Sequence, residues 1–106
     1  MDKREKEQLA FYIRQMNDLS ERAGGFIAKA RKCHDKDGQV HQRLMRDYYD
    51  AKFRYWEFVL SAWLDFGLQV HEGYDEERIR FELNFADECY AKRGGGNHLR
   101  FSNTGY

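Results

Sequence analysis

Apolar residues recur at helical spacing over residues 3–32, where Leu9, Ile13, Met16, Leu19, Ala23, Phe26, Ile27 and Ala30 share one arc. At about 100° per residue that arc is roughly 160° wide, the face an amphipathic helix buries. The polar run HDKDGQ breaks the period and predicts a short link. A second helix is expected over residues 39–72, stopped by Gly73. Asp75 then opens a third, with Glu76 and Glu77 in the first turn where the helix dipole favours acids. Ile79, Leu83, Ala86 and Tyr90 form its apolar stripe, and KRGGG ends it near residue 93. The chain has no proline, so nothing forces an earlier stop. The pattern predicts an all-α fold, a three-helix bundle over residues 1–93. Two helices of roughly 45 and 50 Å form a long antiparallel hairpin, and a shorter third of about 28 Å lies against it. Residues 94–106 have no period and are expected to form a flexible basic arm.

The second helix is unusual in its girth. DYYDAKFRYWEFVLSAWLDF, residues 47–66, holds eight of the seventeen aromatic residues. Arg43, Arg46, Asp47, Asp50, Arg54, Glu57, Ser61 and Asp65 make a polar stripe about 100° wide. The remaining arc, roughly 240°, is apolar and interrupted only by Lys52. One neighbour cannot cover that, so this helix is expected at the centre with a helix on each side.

Antiparallel pairing across HDKDGQ brings together residues whose numbers sum to about 74. Gly24 and Gly25 then face Tyr48, Tyr49 and Ala51, while Leu19 meets Tyr55 and Met16 meets Phe58. Two interior glycines cost roughly 2 kcal/mol relative to alanine. Close approach of the tyrosines is expected to offset this, with a kink as the alternative. The third helix is expected to place Leu83 near Leu64 and Tyr90 near Glu57, shielding the second only from about residue 55 onward.

Tyr49, Phe53 and Trp56 are then left open, and Phe81 and Phe85 form a second apolar stripe on the third helix. Such patches mark interaction surfaces. Another protein is the favoured occupant; a second copy in a symmetric dimer, or the arm folding back through Leu99, Phe101 and Tyr106, are the alternatives. On this expectation Phe53→Ala or Trp56→Ala weakens partner capture and leaves helicity nearly unchanged.

Composition narrows the function. The 106 residues are 42% hydrophobic and 34% charged, with eighteen charges of each sign and zero net charge. That balance disfavours a simple polyanion binder. Two cysteines, Cys33 and Cys89, predict a reducing, cytoplasmic setting and no disulfide framework. No apolar run has the length of a membrane span, and the charged start MDKREKEQL does not read as a signal peptide.

Candidate chemistry is sparse. With Gly38 at the sixth position of a calcium loop, Asp35 and Asp37 take the third and fifth. Cys33 and Leu44 then occupy the first and twelfth, where carboxylates are needed. Cys33, His34 and His41 lack a fourth zinc ligand, and Cys89 is expected more than about 20 Å from them. His34, His41, His71 and His98 are scattered, and the acids of the third helix (Glu76, Glu77, Glu82, Asp87, Glu88) form a solvated face. No metal, cofactor or catalytic set is expected. The chain is therefore read as a non-catalytic protein-binding module, a regulator, inhibitor or adaptor of the kind phages and mobile elements encode. The rival is a nucleic-acid-binding accessory protein. It would use Arg22, Lys29, Arg31 and Lys32 at the hairpin tip, with Lys92, Arg93, Arg100 and Phe101 at the arm. Seven acids against two bases over residues 72–88 oppose it.

Overall fold

A computed structural model describes residues 1–96 and His98. Its elements are α1 (Lys3–Arg31), α2 (Gln39–Phe66) and α3 (Glu76–Lys92), with no strand among the described residues. The chain is the expected all-α three-helix bundle. Local chemistry sets most helix ends. Asp2 accepts from the Glu5 N–H at 2.8 Å and the Glu5 carboxylate reaches back to the Asp2 N–H, a capping box that starts α1. Lys36 closes its other end, its ammonium donating to the carbonyls of Ala30 (2.9 Å) and Arg31 (2.7 Å). Asp75 caps α3 as expected, accepting from the Arg78 N–H. Gly94, at φ +86°, and Gly95 end it, their N–H groups donating to Ala91 and Tyr90.

The end of α2 is a correction. The helix stops at Phe66 because Gly67 takes φ +64°, and the Gly67 and Leu68 N–H groups satisfy the carbonyls of Trp63 and Ala62. Gly73 also has positive φ but lies in the link, so the expected continuation to residue 72 does not occur.

α1 and α3 both pack on α2 and make no contact with each other, which puts α2 in the centre. The core is Met16, Leu19 and Ala23 of α1, Ala51, Phe53, Trp56, Phe58, Val59, Leu60 and Ala62 of α2, and Ile79, Leu83 and Ala86 of α3. The α1–α2 register is as expected: Tyr12 meets Phe58 and Phe66, each at 5.8 Å between ring centres. The α2–α3 register is not. Arg93 donates to the Gln42 side chain at 3.0 Å, and Arg46 donates to the Arg93 carbonyl at 3.3 Å. α3 thus reaches almost to the start of α2, two to three helical turns beyond the expected pairing. The early stop at Gly67 is the cause, because the link 67–75 lets α3 begin beside the interior of α2.

The two glycines of α1 behave as neither alternative anticipated. α1 runs unbroken through them, and a Cβ built at Gly24 or Gly25 meets nothing within 4 Å. No tyrosine packs closely there, and the helix is not interrupted.

Two non-helical segments close the flanks of α2. In the link, Tyr74 stacks on Trp56 (5.7 Å, 8°) and His71 lies 5.0 Å from the same ring. The Tyr55 hydroxyl is 2.6 Å from His71 Nε2, and burial pushes its pKa upward. On the other flank lies His98. Its ring lies flat on Phe53 (4.0 Å, 8°) and 4.0 Å from Tyr90. Its nitrogens sit 2.8 Å from Asp50 and 2.7 Å from Asp87, leaving the side chain 2% exposed. Both ring nitrogens are thus within hydrogen-bonding distance of a carboxylate. Leu99, Phe101 and Tyr106, the expected lid residues, lie outside the described residues.

Glu57 is also a correction. Placed on the polar stripe by sequence, it is fully buried, and Arg54 holds its carboxylate at 2.9 Å.

Candidate protein-binding surface

Of the five residues assigned to a partner surface, two are not available. Phe53 is 0% and Trp56 5% exposed. They are sealed by His98 and by the His71–Tyr74 turn, which the helical pattern alone did not bring to α2. Tyr49 is half-buried: the Arg93 guanidinium lies 5.7 Å over its ring. Burial raises its pKa, and the neighbouring Cys89 raises it further. The open patch expected at Tyr49, Phe53 and Trp56 therefore does not exist as such.

Phe81 and Phe85 are open as expected, at 59% and 50%. Four residues apart, they share one face of α3, while Ile79, Leu83 and Ala86 occupy the opposite face and are buried. Their rings are near-parallel, 6.4 Å apart at 14°. Arg78 extends the ridge, its guanidinium 5.4 Å over Phe81 and 5.1 Å over Tyr74, with Glu82 paired to it at 3.0 Å. Phe85 also walls a groove of about 260 Å³ between α2 and α3, with Tyr48, Tyr49, Lys52, Trp56 and Glu82 on its other sides. On the far side of Lys52 a second groove, about 320 Å³, opens between α1 and α2. Gly24 and Ile27 of α1 line it opposite Tyr48, Tyr55, Trp56 and His71.

Lys52 is thus common to both grooves. Sequence reasoning passed over it, although the signal was present: it is the one charge in the apolar arc of α2. The link residues His71 and Tyr74 were missed for another reason, since they were read as helix and as a turn.

The basic residues of the nucleic-acid reading are divided. Lys29, Arg31 and Lys32 are exposed near the hairpin tip, and the α3 register brings exposed Lys92 to the same end. Arg93 is committed to Gln42 and Tyr49, and Arg22 pairs with Asp18 at 3.3 Å on α1. Arg100 and Phe101 lie outside the described residues. Among the described residues no group of three His, Cys, Asp or Glu side chains is placed to hold a metal ion, and no helix is long and apolar enough to cross a membrane. Comparison with family models, curated proteins and solved structures finds no match to this chain.

Proposed function

We propose that this chain is a non-catalytic protein-binding module, acting as a regulator, inhibitor or adaptor, whose contact surface is the Phe81–Phe85 ridge of α3 and the groove beside it. The observation that carries this is the exposure of two stacked phenylalanines on a face that contributes nothing to the bundle core. Leaving two large rings in water forgoes roughly 2 kcal/mol each of burial, which a partner would recover. The arginine alongside suits such a site, because aromatic and Arg residues dominate binding energy at interfaces. The ridge replaces the sealed residues of α2 as the point of contact.

The test is a Phe81→Ser/Phe85→Ser double variant, compared with the wild type in affinity capture and in light scattering at two concentrations. A retained partner that the variant loses, with a monomeric wild type, is the expected result. A wild-type dimer that the variant converts to monomer would instead assign the ridge to self-association.

Nucleic-acid binding is the second reading, favoured by the meeting of Lys29, Arg31 and Lys32 with Lys92 at one end of the molecule. An electrophoretic shift at low salt that Lys29→Glu and Lys32→Glu abolish supports it; no shift at low salt ends it.

A further inference from the structure

The ammonium of Lys52 lies 5.5 Å over the Tyr55 ring and 5.9 Å over the Trp56 ring, and no carboxylate or hydrogen-bond acceptor meets it among the described residues. Most other cations on this side are answered: Arg78 by Glu82, and Arg93 by Gln42. The cation lies over two aromatic faces and the residue as a whole is half-buried, with the ammonium's donors unused among the described residues. It stands where the two grooves adjoin, sharing Tyr48 and Trp56 with both. Gly24 lines the α1-side groove. A Cβ there meets nothing within 4 Å, so the glycine keeps space open instead of admitting a neighbour.

We infer that Lys52 anchors an acidic residue of a partner protein, and that the two grooves receive apolar side chains flanking that acid. This rests on the reading of the Phe81–Phe85 ridge as the partner surface, and it names the chemistry of the segment that binds. Such an occupant complements the charge of Lys52, and the α3-side groove it would enter is continuous with Phe85. A carboxylate placed on the ammonium forms a charge-assisted hydrogen bond, stronger than one between neutral groups. Adjacent helix axes are about 8–10 Å apart, so crossing from the α1 side to the α3 side spans roughly 16–20 Å. An extended chain at about 3.3 Å per residue covers that in five or six residues. Alternate side chains point the same way along such a segment. The expected motif is an Asp or Glu with large apolar residues two positions to either side.

The probe is a phage-displayed library of random twelve-residue peptides selected on the full chain, the enriched peptides then being titrated by tryptophan fluorescence. The expected motif should emerge. Lys52→Met, which keeps the aliphatic stem, should weaken the best peptide by about tenfold or more. Gly24→Leu should fill the α1-side groove and weaken it also, in a protein that remains folded. Replacing the peptide's acid by its amide should cost as much on the wild type and little more on Lys52→Met. Acid-free peptides, or binding unchanged by both Lys52→Met and Gly24→Leu, overturn the inference. If Phe81→Ser/Phe85→Ser then abolishes binding, the ridge remains the partner surface and only the acidic anchor falls. Peptides that no variant affects, or a selection that enriches nothing, overturn both. Enrichment of sequences matching residues 72–88 of this chain makes the occupant a second copy and overturns an outside partner.

Discussion

Tyr12 donates its hydroxyl hydrogen to Asp65 at 2.8 Å and accepts from Gln8 at 3.0 Å, tying the start of α1 to the end of α2. Burial, then the Asp65 carboxylate, pushes its pKa from 10.0 to about 12. The protonated phenol is the form the fold favours, so its contribution is whole below pH 10.0 and fades as pH rises through about 12. Tyr12→Phe should make the alkaline loss of stability shallower over that window, measured by urea unfolding at stepped pH. Some slope will remain, because Tyr49 and Tyr55 are shifted in the same direction. Phe53 shows how burial reverses a sequence-based expectation. A side chain with no exposure leaves a cavity when truncated, so Phe53→Ala should cost about 3–5 kcal/mol and lower the unfolding midpoint. Reduced partner capture by that variant would then report unfolding, and the exposed phenylalanines of α3 are the sound probes.

At the scale of elements, two glycines make opposite forecasts for one substitution. Gly67→Ala forces a Cβ into the left-handed region at φ +64°, where nothing else crowds it, and should cost about 1 kcal/mol. Gly24→Ala sits in a regular helix with open space around it and should gain about 1 kcal/mol. Paired thermal melts check both signs. A stability gain at Gly24 would also show that the fold itself has no use for glycine there. The caps of α1 and α3 were legible because Asp2–Glu5 and Asp75 act within one turn of themselves. The end of α2 was not, because Gly67 and Gly73 are equally able to terminate a helix. The choice between them depends on whether residues 67–75 gain more as helix or as a turn laid on Trp56.

For the whole molecule, the ridge on α3 and the core occupy opposite faces of that helix. The Phe81→Ser/Phe85→Ser variant should therefore change stability by no more than about 0.5 kcal/mol while abolishing partner binding, a split that melting and capture together can read. The same separation explains which part of the site was visible in the sequence. Phe81 and Phe85 fall opposite a clear apolar stripe, so the helical period alone exposes them. Phe53 and Trp56 lie on α2 where the apolar arc exceeds what two helices cover, and the period cannot say what covers the excess.

The sequence by itself determined three helices, their order, the central place of α2 and the pairing of α1 with it. These follow from hydrophobic period and a short polar link, both properties of neighbouring residues. Only the tertiary structure decided how far α3 slides along α2, that His71, Tyr74 and His98 seal the aromatic flanks, and that Lys52 stands between two grooves. Those outcomes depend on contacts between residues distant in the chain, and on the left-handed turn at Gly67 that sets where α3 begins.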